Sequence, residues 1–388
     1  MRIAFVYDAL YPYVRGGAEK RYWELARRLA ERHEVHYVCW RFWDGPADAV
    51  AEGVILHGIA RPPSFYGTDG KRTIREAAAF SVRVLPVLVR GQWDVIDCCA
   101  TPYLPLYAAW LAARMTQTPL VATWHEFWGE HWATYLPRRR AVARFGQYLE
   151  ARSVSLADIV VAVSPFTAGR LPFADSQRRV VVENGIELGL ISPARRARDR
   201  VDLLFAGRLI DEKRVDLLLD AIQLLVPRFP ELRCAIIGDG PELESLQAQA
   251  RALGLDGFVR FHGRVDNAAL FGQMKAAAIF VLPSIREGFG IVVAEAQACG
   301  AVPVVARSAI SAATDLIRDD VDGLVCDPTA SSIAQAVEGL LSNPARRRRM
   351  ATKARRASAT RDWDGVQERM ERVYLRLARG ERELATAR

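Results

Sequence analysis

The chain alternates short apolar runs with longer stretches in which apolar residues recur every three or four positions. Arg2–Tyr7, Val35–Cys39, Val95–Cys99, Leu120–Thr123 and Ile159–Val163 are short and almost wholly apolar, and they read as strands. Ala18–Arg32 reads as a helix with Trp23, Leu25, Ala26, Leu29 and Ala30 on one side. Ser164–Pro165 supplies an N-cap and a first helical residue. Strands separated by helices imply βαβ units and a parallel sheet.

A second series begins near residue 201. Asp202–Ala206, Cys234–Ile237, Val259–Phe261, Ile279–Leu282 and Val302–Val305 read as strands. Val215–Val226, Glu242–Leu253 and Ile291–Ala298 read as helices, stopped by Pro227, Gly254 and Gly300. Pro193–Arg200 is polar and aperiodic, as a linker is. The expected organisation is an N-terminal α/β domain over 1–185 and a second over 186–360. A last segment, 361–388, carries a tail helix from Trp363 to Leu377.

Length and composition agree with this division. The 388 residues are 51% hydrophobic and 25% charged, which fits globular domains and excludes a disordered or collagen-like chain. The weakly charged stretch 100–113 is too short for a membrane span and holds Pro102 and Pro105. Ile3–Tyr7 is too short for a signal h-region. The six cysteines show no CxxC pair or zinc spacing, so reduced thiols and a cytoplasmic location are expected.

The net charge of +8 is unevenly spread. Arginines cluster at Arg138, Arg139, Arg140 and Arg144, at Arg195–Arg200, and at Arg346–Arg349. Each cluster reads as a solvated face or linker, or as a surface for an anionic partner. No nucleic-acid motif accompanies them, so no nucleic acid is expected. The first cluster follows Trp124, Phe127, Trp128, Trp132 and Tyr135. That segment reads either as an aromatic cleft for a soluble acceptor or as a rim resting on a membrane.

In parallel sheets, ligands gather where the strands end at their carboxyl side, so the residues following strands carry the candidate chemistry. Gly16 and Gly17 precede a helix and let backbone approach an anion. Gly207, Arg208 and Lys213 follow a strand, and two cations in one loop suit a diphosphate. Gly238–Pro241 reads as a tight turn. Glu287, Gly288, Phe289, Gly290 and Ile291 form a glycine-rich entrance to a helix whose first amides suit a phosphate. Glu295 is a lone carboxylate in an apolar helix and needs a partner, which sugar or ribose hydroxyls would supply. His125 follows a strand within Trp124–His125–Glu126–Phe127–Trp128, where aromatic faces suit sugar rings. Asp320/Asp322 and Asp362/Asp364 read as a turn and as helix-start charges, not as metal ligands.

Gly207–Arg208…Lys213, Gly238–Pro241, His262–Gly263–Arg264–Val265 and Glu287–Gly–Phe–Gly…Glu295 occur in that order. Together they resemble the GT4 family of retaining glycosyltransferases. Ser164–Thr167 and Val182–Ile186 resemble that family's hinge-proximal segments. The resemblance implies a GT-B fold, an α/β architecture of two Rossmann-like domains facing a central crevice. It implies a nucleotide-diphosphate sugar, UDP-sugar favoured, as co-substrate, with no further cofactor and no metal. Arg208 and Lys213 would hold the diphosphate, helped by Gly16 and Gly17. Glu287 would bond the donor sugar and Glu295 the ribose, with Val265 and Gly288–Ile291 lining the donor. His125 and Glu287 would be catalytic. Trp124, Glu126, Phe127 and Trp128 would face a hydroxyl acceptor, either a glycan, a lipid-linked sugar or a small molecule. The tail helix would cross back to the N-terminal domain. Peripheral contact with the inner face of the membrane is the alternative to a fully soluble protein. A non-catalytic sugar-nucleotide-binding subunit and a GT-B epimerase are the competing functions. The stretch Arg307–Thr314 departs from the family's Gly-Gly pattern after the preceding strand.

Overall fold

The computed structural model describes residues 1–65, 73–137, 139–172 and 176–381. The chain divides into two compact units, Met1–Gly185 together with the tail from Trp363, and Ile186–Asp362.

The first unit runs β1 (Arg2–Val6), α1 (Gly17–Leu29), β2 (Glu34–Cys39), β3 (Asp48–Ala51), β4 (Val54–Gly58), α2 (Ile74–Arg90), β5 (Val95–Cys99), α3 (Tyr103–Thr116), β6 (Leu120–Trp124), α4 (His131–Tyr135), α5 (Arg140–Ser153), β7 (Ile159–Ala162), α6 (Pro165–Arg170) and β8 (Arg179–Val181). Its eight-stranded sheet has the order β3-β4-β2-β1-β5-β6-β7-β8. All pairings are parallel except β3 with β4. The central strands are buried on both faces, so they read as nearly continuous apolar runs, broken in β5 by Asp97 and in β6 by Thr123.

Several elements of this unit lie outside the sequence expectation. The β3–β4 hairpin turns at Glu52 and Gly53, both at positive φ, and β3 is a half-exposed edge with little apolar signal. Helix α2 holds Pro86 in its interior, a residue that argues against helix in a sequence. The stretch 100–113 is largely α3, with Pro102 as N-cap residue and Pro105 in the first turn, where a missing N–H leaves no bond unmade. Among the described residues, no helix is long and apolar enough to cross a membrane.

The second unit runs α7 (Leu188–Ile191), β9 (Val201–Ala206), α8 (Val215–Leu225), β10 (Cys234–Ile237), α9 (Leu243–Ala252), β11 (Val259–Gly263), α10 (Asn267–Ala276), β12 (Ala277–Leu282), β13 (Arg286–Glu287), α11 (Ile291–Cys299), β14 (Val302–Ala306), β15 (Ile310–Ser311), β16 (Leu324–Cys326), α12 (Ala330–Leu341) and α13 (Pro344–Ser358). Its parallel sheet has the order β11-β10-β9-β12-β14-β16, and β13 and β15 form a separate parallel pair. Arg346–Arg349 lie on α13, where Met350, Ala354 and Ser358 face inward, and Arg346 pairs with Asp320 at 2.5 Å.

Helix α14 (Trp363–Ala378) belongs to the first unit and packs against α1. Trp363, Val366, Met370, Val373, Tyr374 and Leu377 form its buried stripe, at the spacing of an amphipathic helix. A buried polar node ties it down. Asp97 on β5 accepts from Tyr374 at 2.5 Å, Tyr22 at 2.8 Å and Thr123 at 3.0 Å. Arg21, fully buried beside it, donates to Asn184 at 2.9 Å and to the Glu183 carbonyl at 3.2 Å.

The two acidic pairs have structural work. Asp322 accepts from the Arg318 backbone and side chain, each at 2.7 Å, within a turn where Asp320 has positive φ. Asp364 pairs with Arg28 at 2.7 Å, while Asp362 accepts from the Leu188 amide at 3.2 Å. Among the described residues, no group of three or more His, Cys, Asp or Glu is arranged to hold a metal ion.

Candidate functional site

In the second unit, the loop after β9 is held from below. Gly207 N–H donates to Ile237 O at 3.0 Å and Leu209 N–H to Asp239 O at 2.9 Å. Gly238, at φ +142°, lies so near that a Cβ there would stand 1.8 Å from Gly207 O, and one at Gly240 would stand 2.2 Å from Leu209 O. Gly238–Pro241, expected as only a tight turn, is therefore the shelf under the Arg208 loop, and only glycine fits its two close approaches. Arg264 pairs with Asp239 at 3.4 Å, and Gly238 N–H donates to Gly263 O at 2.9 Å. These bonds place the half-buried Val265 in the adjoining loop.

Lys213 and Glu287 are brought together in a part-buried ion pair. The Ile285 amide donates to Glu212 O at 3.0 Å, and Arg286 pairs with Glu212 at 3.5 Å, so the loops after β9 and β12 are bound to each other. Asp211 and Glu212 lie in the same loop as Arg208 and Lys213 and could neutralise them. Instead, Lys213 takes Glu287, and the exposed Arg208 has no partner among the described residues.

Gly288 and the buried Phe289 and Gly290 lead into α11, where Gly290 at φ +93° is the N-cap residue ahead of Ile291. Glu295 lies inside α11, 3% exposed. The departing segment Arg307–Thr314 has a definite task. Its strand β15 pairs with β13, Ala312 N–H donates to Glu287 O at 2.7 Å, and Ser308 Oγ donates to Ile285 O at 2.5 Å. Side-chain and strand bonds thus brace the Glu287 loop.

In the first unit, Gly16 is the extended N-cap residue of α1, and both Gly16 and Gly17 are exposed. This helix start already has a carboxylate. Glu19 folds back beside Gly16 and accepts from Tyr7 OH at 2.9 Å.

His125 follows β6 and is half-buried, with Nε2 buried and unpartnered among the described residues. Burial, and then the charge of Arg21, push its pKa down to about 3, so the imidazole is neutral at ordinary pH. It can offer a hydrogen bond but no charge. Trp124 corrects the sequence reading. It is wholly buried, because the last β6 position points into the helix layer, where it packs on Tyr103 and Phe127 at 5.9 Å each. A core ring cannot meet an acceptor. Glu126, Phe127 and Trp128 are half-buried, and Trp128 packs on Trp132 at 5.1 Å. Arg138 lies outside the described residues, and Arg139, Arg140 and Arg144 are exposed.

Two residues escaped the sequence reading. Asp97 was visible only as a carboxylate inside an apolar strand. Glu150 falls on the inner stripe of α5 with Ala143 and Ser153, and it collects bonds from the loop after His125.

Residues 15–190 match the family described as Glycosyltransferase Family 4, and residues 192–357 match Glycosyl transferases group 1. The chain is 32% identical over 389 residues to a D-inositol 3-phosphate glycosyltransferase of Xylanimonas cellulosilytica, covering 92% of this chain and 91% of that protein. It is 29% identical to a phosphatidyl-myo-inositol mannosyltransferase of Mycobacterium leprae, with 93% of each covered. Over 58% of its length it is 32% identical to a GDP-mannose-dependent alpha-(1-6)-phosphatidylinositol dimannoside mannosyltransferase of Mycobacterium tuberculosis, covering 60% of that protein. Among solved structures, HepE of Anabaena with UDP and glucose aligns with a TM-score of 0.74 at 20% identity, covering 96% of this chain and 99% of that one. Sucrose-phosphate synthase of Thermosynechococcus elongatus aligns at 0.81 and 18%, covering 98% and 99%. These two likenesses establish the GT-B fold. With both halves matched and a relative similar along nearly its whole length, the chain belongs to the GT4 family of glycosyltransferases.

Proposed function

We propose that the protein moves a sugar, with retention, from a nucleotide-diphosphate sugar to a hydroxyl of a polyol phosphate or lipid-linked polyol. The observation that carries this reading is the loop pair of the second unit, with Arg208 unpartnered among the described residues, Lys213 and Glu287 paired, and the α11 N-terminus following Glu287 in the chain. Cleaving a glycosyl–phosphate bond builds negative charge on the leaving diphosphate. Fixed cations and amide dipoles stabilise that charge most strongly as it develops. Lys213 exchanges Glu287 for the diphosphate, and Glu287 turns to the hydroxyls of the donor sugar. Glu295 accepts from the ribose. Neutral His125 and the loop Glu126–Trp128 take the acceptor side.

Arg208, Lys213 and Glu295 address diphosphate and ribose, which uridine and guanosine donors share. UDP-sugar is the first donor to test, and GDP-mannose, from the mycobacterial relative's name, the second. The relatives' names also supply the acceptor class, an inositol phosphate or phosphatidylinositol.

Calorimetry with UDP and GDP, and then with their sugars, tests the division of labour. Glu295→Ala is expected to weaken the free nucleotide as well as the sugar nucleotide. Glu287→Ala is expected to spare the free nucleotide and weaken only the sugar nucleotide. Equal losses of free nucleotide in both variants overturn the assignment.

A lipid-linked acceptor would require contact with a membrane, and α5 supports that contact. Its outer stripe carries Arg140, Arg144, Tyr148 and Arg152 at four-residue spacing, with Phe145 alongside, and Phe145 and Tyr148 are 62% and 61% exposed. Basic residues near anionic lipid gain about 1 kcal/mol each. The protein is expected to co-sediment with phosphatidylglycerol-containing vesicles at low salt, and Arg140, Arg144 and Arg152 changed together to alanine should release it. Absence of binding at low salt, where attraction is strongest, rejects the membrane contact.

A further inference from the structure

The inner face of the same helix, α5, bears on the acceptor loop. Glu150 is fully buried there, and its two oxygens accept four hydrogen bonds. Oε1 accepts from Tyr103 OH at 2.5 Å and from the Trp128 amide at 2.7 Å. Oε2 accepts from the Gly129 amide at 2.8 Å and from Trp132 Nε1 at 3.0 Å. Three of the four donors belong to one short segment, Trp128–Trp132, which continues the chain from His125 without an intervening element.

The seat is shaped as well as charged. One turn before Glu150, Gly146 leaves room for the Trp132 ring, and a Cβ there would stand 2.9 Å from it. Trp132 also packs on Tyr103, with ring centroids 6.1 Å apart. Burial pushes the Glu150 pKa up, while the four donors pull it back. An ionised carboxylate matches four donors, and charge-assisted bonds of this kind are about twice as strong as neutral ones.

Two of the four donors are consecutive main-chain amides, and main-chain bonds set the path of a loop. We infer that Glu150 is a positioning residue, which fixes the segment after β6 and thereby the placement of His125, Glu126 and Phe127. Glu150 does not touch substrate itself. The inference rests on the reading of that loop as the acceptor side.

Glu150→Gln is the discriminating variant, because shape is kept while donor matching is lost. The amide NH2 cannot accept. On the Oε2 side it would face Gly129 N–H and Trp132 Nε1–H, both donors. On the Oε1 side it meets Tyr103 OH, which can accept, but it orphans the Trp128 amide. Gln therefore adopts the second orientation and releases Trp128 N–H. Trp132→Phe is a second variant, which deletes one donor and leaves the carboxylate.

The experiment uses the full chain and two readouts. Hydrogen exchange of the Trp128 amide is expected to speed up at least tenfold in Glu150→Gln, and less in Trp132→Phe, while the Gly129 amide keeps its acceptor. With D-inositol 3-phosphate as acceptor probe, the acceptor KM is expected to rise or kcat to fall at least tenfold in Glu150→Gln. Its Kd for UDP and GDP is expected to stay within twofold of wild type. A merely structural Glu150 would leave that acceptor-specific split unmoved. Unchanged amide exchange in both variants overturns the anchor. Faster exchange with unchanged acceptor kinetics, in a protein that His125→Ala inactivates, overturns the positioning role. Unchanged acceptor kinetics in His125→Ala refutes the acceptor-side reading instead, whatever the amides of Glu150→Gln do.

Discussion

Replacing Asp97 with alanine is expected to destabilise the protein by roughly 3–5 kcal/mol, the scale of removing one member from a buried charged pair. Asp97 is 1% exposed and is the common acceptor for the hydroxyls of Tyr22, Thr123 and Tyr374. Its charge also offsets that of Arg21, whose pKa burial has already lowered to about 10. Alanine leaves three buried hydroxyls short of an acceptor and one buried guanidinium without its nearby counter-charge, and each orphaned hydroxyl retains its desolvation penalty. The loss reaches beyond β5, because Tyr374 is the polar attachment of α14 to the sheet. Asp97→Asn keeps the shape and one carbonyl acceptor, and its amide can donate to a tyrosine oxygen, so its cost should be smaller. Urea unfolding of the full chain, followed by far-UV circular dichroism, reads both. A change below 1 kcal/mol for alanine would show that the node holds nothing together.

That node also shows where the sequence stops being informative. The central strands of both sheets were legible because burial on two faces makes them nearly continuous apolar runs, as at Ile159–Ala162 and Ala277–Leu282, whereas the short edge strands β8 and β16 were not. The ends of α11 were legible from Gly290 and Gly300, both at positive φ. The β3–β4 hairpin was not, because an edge strand with one polar face leaves little pattern. Helix α2 was hidden by Pro86, whose local preference the packing of α2 on α3 overrides. In the candidate site, residue type and order singled out Lys213, Glu287 and Glu295, but not that Lys213 and Glu287 pair, a contact across 74 residues of chain. Trp124 was misread because a strand's last residue faces core or ligand according to a register that composition does not reveal. Glu150 was missed because two of its four partners are main-chain amides, which no side-chain motif records.

The central claim is that Arg208 and Lys213 stabilise a departing diphosphate. The kcat/KM for the donor sugar nucleotide in Arg208→Ala and Lys213→Ala tests it most directly. Losing one preorganised donor costs roughly 2–4 kcal/mol in the transition state, a fall of roughly 30- to 900-fold. The charge on the leaving group grows as the bond breaks, so kcat should fall along with kcat/KM, beyond any loss of ground-state binding. Lys213→Ala should be the more damaging, since it also strips the part-buried Glu287 of its cation, whereas Arg208 is exposed and leaves no orphan behind. The account predicts a loss of at least thirtyfold in each variant, larger for Lys213. Turnover near the wild-type level in both would contradict it.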